Sequence, residues 1–225
     1  MKSDRTHTEP ITPISDKRRI VEIIAVLCTG VGKFIFMDAL NWKLPFIITA
    51  IIGWSMYIAF RYSQHKGILA YWGFRMDNFK KALRKVLPFG IVSVIGFVVI
   101  GAIQGTLNPT WHILPILIIY PIWGTIQQFL LIGLVAGNGQ DLNTISIPKI
   151  VIILLAALLF AGVHYPNYWL IAATFVLALF YGYIYLQVRN VYVLGLFHGW
   201  VDCSFTQLLT AIPLWKYLEN CFPEI

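Results

Sequence analysis

Five side chains in the second half of the sequence are of types that bind, polarise or move protons: Gln127, Gln128, His164, His198 and Asp202. Each interrupts an otherwise apolar run. His198 and Asp202 stand four residues apart, so a helix would present them on one face, and Phe160 and His164 repeat that spacing. Gln127 and Gln128 are adjacent and diverge by about 100° around a helix axis, so at most one aims straight at a shared centre. Three helices could thus converge on one polar focus. Its imidazoles would titrate near neutral pH and could serve as acid, base or hydrogen-bond partner. His164, His198 and Asp202 also make a 2-His-1-carboxylate set of the kind that holds iron or zinc. The structural alternative for any one of these residues is a plain hydrogen bond between helices, worth about 0.6 kcal/mol on average inside a membrane. The order and spacing of the whole set favour a site.

The elements that must position these groups are membrane helices. The chain is 58% hydrophobic and 12% charged, about half the charged share of a soluble domain, near 25%. Its apolar residues come in blocks rather than in amphipathic periods, which makes the bilayer the solvent. Residues 1–19 are polar and read as a cytoplasmic tail, and 20–225 as a single transmembrane domain. Apolar blocks begin at Ile20 and continue at 44–60, 87–107, 112–136, 148–163, 168–187 and 191–211. At about 20 residues per span, the expected fold is an all-α polytopic membrane helix bundle of about seven to eight transmembrane helices. The eighth depends on a restart before Trp215, beyond Pro213. Inside such spans polar side chains are expensive, and by default they mark function.

The net charge of +7 is concentrated in the first nineteen positions and in 61–85. Two basic clusters separated by two spans agree with the positive-inside rule and put the N-terminus in the cytoplasm. The pattern suits anionic lipid, and no nucleic-acid partner is expected. The expected location is multi-pass in a bacterial cell membrane. Residues 71–87 mix aromatic residues with lysine and arginine at helical spacing, which predicts an interfacial amphipathic helix. Gly101 and Gly105 form a GxxxG and predict a helix-packing contact. Gly30-Val31-Gly32-Lys33 lacks the spacing and the Ser/Thr of a phosphate loop. Cys28, Cys203 and Cys221 make neither a disulfide framework nor a CxxC metal signature.

The motif order resembles that of the CPBP intramembrane proteases, also called the Abi or CAAX-protease-like family. That pattern is Glu-Glu-x-x-x-Arg, then Phe-x-x-x-His, then His-x-x-x-Asn/Asp, each on its own span. The second motif is intact as Phe160-Ala161-Gly162-Val163-His164, and the third as His198-Gly199-Trp200-Val201-Asp202. The first stands as Gln127-Gln128-Phe129-Leu130-Leu131-Ile132, with glutamine at both glutamate positions and isoleucine at the arginine position. The resemblance covers 121–205. It implies that the first glutamate activates water for attack on a peptide carbonyl, while the histidines bind water or stabilise the oxyanion. It also implies a membrane protein or lipidated peptide as partner beside the lipid bilayer, and the sequence alone leads to no cofactor expectation beyond the metal alternative.

Gln127 cannot serve as that base, because a primary amide has no accessible basic site near neutral pH. General base catalysis is typically worth about 10²–10⁴-fold. The loss of arginine is coherent with the loss of glutamate at 128, since the two positions lie at i, i+4. A lone arginine at membrane depth would cost about 2.5–3.5 kcal/mol or more. The expected function is therefore that of a protease-like membrane protein, a pseudoenzyme of hydrolase type with impaired hydrolysis, which binds membrane-embedded or lipidated peptide segments. One alternative is an active endopeptidase of the same family in which the histidines carry more of the chemistry. Another is a metal-binding protein using His164, His198 and Asp202. A transporter is weaker, since the sequence has no internal repeat.

Overall fold

The computed structural model describes residues 14–105 and 113–209, the side chains of 113–116, 119 and 202–209 excepted. Every element among these residues is helical. Helix α1 (Asp16–Gly32) runs on as a π-helical segment, Lys33–Ala39, and turns at residues 40–42 into α2 (Lys43–Gln64). A short α3 (Ile68–Tyr71) precedes α4 (Phe79–Gln104). Helix α5 (Ile113–Gln128) continues through a π-helical segment, Phe129–Gly137, into α6 (Asn138–Gln140), and then come α7 (Lys149–Gly162), α8 (Tyr168–Gln187) and α9 (Val191–Leu209). Four described helices are long and apolar enough to cross a membrane: Asp16–Ala39, Lys43–Gln64, Phe79–Gln104 and Tyr168–Tyr185. Shorter apolar helices are Lys149–Gly162 and Val191–Val201. Large apolar side chains such as Ile52, Val92, Ile103 and Leu158 remain more than half exposed, as expected where lipid rather than water surrounds the bundle. The restart before Trp215 lies outside the described residues.

Helices α1 and α2 form an antiparallel hairpin. Glu22 on α1 meets Tyr57 and Arg61 on α2, with Tyr57 Oη donating to Glu22 Oε1 at 2.5 Å and Arg61 Nε 3.7 Å from the same oxygen. Further along, Trp54 Nε1 donates to Thr29 Oγ1. The start of α1 and the end of α2 therefore share one end of the bundle, together with Arg19, Asp141 and Arg189. At the other end the π-helical turn places Lys33 above Asp38, five residues on, and Nζ donates to its carboxylate at 2.7 Å and to Tyr165 O at 2.9 Å.

The expected interfacial helix over 71–87 does not form. Gly73 breaks it, with φ +94°, and a Cβ there would lie 3.1 Å from the Arg189 carbonyl carbon. Gly73 O accepts from Val191 N instead. Trp72 is buried in the core beside Ile68 of α3, whereas Met76 is exposed, so only the start of the segment enters the bundle. Residues from Phe79 onward form the first turns of the membrane-length α4. Gly105 also departs from expectation: it ends α4 in the left-handed conformation, and its Cβ position faces open space.

Candidate active site

The close helix crossing that builds the site is made by other glycines, Gly124 on α5 and Gly195 and Gly199 on α9. A Cβ on Gly124 would lie 2.5 Å from Gly195 O, and one on Gly199 would lie 2.5 Å from Pro121 N. A Cβ on Gly195 would overlap Thr125. Only backbone fits in this crossing, so α5 and α9 touch directly. Trp200 Nε1 of α9 donates across the contact to Leu117 O of α5 at 3.2 Å, while Thr125 Oγ1 turns back to Pro121 O within α5 at 2.7 Å.

The crossing sets His198 beside Gln127, with His198 Nε2 2.7 Å from Gln127 Oε1. The amide oxygen can only accept, so Nε2 carries the proton and Nδ1 keeps the lone pair. Nδ1 is buried without a hydrogen-bond partner among the described residues. His198 is the eighth residue of α9, about 10 Å in from the basic end at 1.5 Å per residue.

Helix α7 supplies the third wall. The Phe160 ring touches both imidazoles, with centroids 5.0 Å from His164 and 5.3 Å from His198. His164 Nδ1 lies 2.7 Å from Phe160 O. The carbonyl requires the proton on Nδ1, which leaves the His164 Nε2 lone pair as the basic position of that ring. Among the described residues no carboxylate hydrogen-bonds either imidazole. Of the sequence-selected residues, Gln127, His164 and His198 thus meet around Phe160. Gln128 points elsewhere: it is fully buried, and neither Oε1 nor Nε2 finds a partner among the described residues. Ile132 is fully buried in the following π-helical turn. The side chain of Asp202 lies outside the described residues, so of the proposed metal set only the two histidines are placed.

A second polar cluster escaped the sequence reading. Glu22 is 2% exposed. Besides the hydrogen bond from Tyr57 and the ion pair with Arg61, it accepts from Asn138 Nδ2 at 2.7 Å. Asn138 lies ten residues beyond Gln128, past the π-helical segment, and among the described residues Glu22 hydrogen-bonds neither Gln127 nor either imidazole, so it does not stand in for a carboxylate at Gln127. The signal was available. Glu22 is the one charged residue in the run 20–32, and an ionisable group within a span is a functional or structural anchor by default.

Residues 109–204 match the family model described as type II CAAX prenyl endopeptidase Rce1-like. This segment is Rce1-like. It contains all five sequence-selected residues, and the resemblance read from the motifs holds over it. The α1–α2 hairpin and α4 lie outside the Rce1-like segment. No curated protein and no solved structure matches the chain. Within the Rce1-like segment the departures Gln127, Gln128 and Ile132 leave a site of neutral donors and acceptors, with two histidines as its titratable groups among the described side chains.

Proposed function

We propose that the chain is a CAAX-protease-like membrane protein that binds membrane-embedded or lipidated peptide segments at the Gln127–His198 site and hydrolyses them slowly or not at all. The observation that carries this reading is the 2.7 Å contact between Gln127 Oε1 and His198 Nε2. It engages the amide oxygen as an acceptor and the imidazole N–H as a donor, so neither atom takes a proton from water. Hydrolysis needs a proton acceptor at the first motif, whereas binding needs shape and neutral hydrogen-bonding groups. The His164 Nε2 lone pair supports the alternative, a working endopeptidase with histidine as base. We further propose about seven to eight spans in the cell membrane of a bacterium, with the N-terminus cytoplasmic.

The test follows one fluorescent lipidated peptide through binding and cleavage in the same purified, detergent-solubilised sample. Saturable binding without product supports the reading, and replacing Gln127 by Ala should weaken that binding. Steady turnover by the unmodified chain would establish the endopeptidase.

A further inference from the structure

A basic recess lies away from the candidate active site. The first two turns of α4 place Asn78, Lys81 and Lys85 on one helix face. This face turns toward the α8–α9 connection: Asn78 Nδ2 donates to Arg189 O at 3.1 Å, and Lys85 Nζ to Gln187 Oε1 at 2.6 Å. Between these contacts opens a cavity of about 630 Å³, walled among others by Arg75, Lys81, Gln187 and Arg189.

The charges in this recess do not cancel. Arg189 is committed to Asp141, with its two terminal nitrogens 2.7 Å and 2.6 Å from the two carboxylate oxygens. Arg75 donates to both carboxylate oxygens of Asp77, through Nε and a terminal nitrogen; both side chains are exposed, so water and salt screen the pair. Lys81 has no hydrogen bond or ion pair among the described residues, and it is exposed. An anion entering the recess would meet Lys81 directly and would compete with Asp77 for Arg75.

The surroundings decide which anion. Lys81 is in the first turn of a membrane-length helix, at the bundle end that also carries Arg19 and Arg61. Beyond it on the same side of α4, Val92 and Ile95 are exposed. A molecule with phosphate at Lys81 and hydrocarbon along these side chains matches both features, and basic pockets between membrane helices suit such headgroups. We propose that this recess binds the headgroup phosphate of an anionic phospholipid, held by Lys81 and Arg75, with its acyl chains along the outer face of α4.

The experiment uses the full chain in neutral detergent, with lipid binding read by native mass spectrometry. The probes are short-chain phosphatidylglycerol, the matching phosphatidylcholine, and inorganic phosphate as competitor. Phosphatidylglycerol should bind in preference to phosphatidylcholine, and inorganic phosphate should not displace it. The double change Arg75→Gln and Lys81→Gln should weaken phosphatidylglycerol binding by about tenfold or more, given the contribution of each basic residue at a membrane surface. Lys80→Gln with Arg84→Gln removes the same charge from the neighbouring face and should leave binding nearly unchanged. Lys81→Gln alone disturbs no described contact, so misfolding cannot account for its effect, and it should lower the affinity several-fold. Equal losses in the two double variants, no preference over phosphatidylcholine, or displacement by inorganic phosphate would overturn the proposal.

Discussion

Gln127 and His198 are joined across a helix crossing, 2.7 Å from amide oxygen to imidazole nitrogen. The contact exists because Gly124, Gly195 and Gly199 let α5 and α9 approach to backbone distance. The scaffold brings residue 127 of α5 beside His198 of α9, and on the proposed function the side chain at 127 decides what the pair does.

Gly199→Ala should be strongly destabilising. Its Cβ would lie 2.5 Å from Pro121 N and from the Tyr120 carbonyl carbon, and backbone cannot step aside without opening the crossing. Overpacking of this kind costs about 1–3 kcal/mol. Gly96→Ala on α4 meets nothing within 4 Å and should be neutral or slightly stabilising. Thermal unfolding in detergent checks the pair, and equal midpoints would show that the crossing is not tight.

A pH effect is expected at the basic end. Burial raises the carboxyl pKa of Asp141, but its hydrogen bonds from Arg189 and Tyr71 and the nearby positive charge outweigh that and hold it below the usual carboxylate range. A depressed folded pKa stabilises the protein fully above the unfolded value, near 4, and the stabilisation is lost as pH falls through the folded value. Asp141→Asn should lower the thermal midpoint at neutral pH. The difference from wild type should shrink on acidification below about pH 4. A difference that stays constant with pH would contradict this.

The sequence was most legible where apolar length and motif order agree. Residues 168–187 were expected as one span and form α8, Tyr168–Gln187. The motif spacing also picked out the residues now found around Phe160. Residues 71–87 were misread because their mixture of aromatic and basic side chains looks interfacial, while the break at Gly73 depends on a tertiary contact with Arg189. Gly105 was misassigned for a similar reason. It stands four residues from Gly101 as Gly199 does from Gly195, and spacing alone does not reveal that its Cβ position faces open space while that of Gly199 meets backbone. The partner of Glu22 could not be read at all, since Asn138 is 116 residues away in an unrelated apolar block.

The hairpin geometry makes a topological prediction. Lys17 and Lys66 lie at one end of the bundle, and Leu40 lies at the other. In a background lacking Cys28, Cys203 and Cys221, Lys17→Cys and Lys66→Cys should react with an impermeant thiol reagent only from the cytoplasmic side. Leu40→Cys should react only from the outside. Labelling of positions 17 and 66 from opposite sides would break the hairpin assignment.

The central claim is that neutral side chains in the first motif, and not the scaffold, limit hydrolysis. Its most direct test compares cleavage of one lipidated peptide by the wild type, by the combined variant Gln127→Glu, Gln128→Glu and Ile132→Arg, and by His198→Ala. The combined variant restores a proton acceptor beside His198 and pairs the new arginine with a carboxylate four residues before it. The account predicts no measurable turnover by the wild type and a gain of about 10² or more in the combined variant, the lower range of what a general base supplies. Brisk cleavage by the wild type that disappears in His198→Ala would contradict it and show a working histidine-centred enzyme.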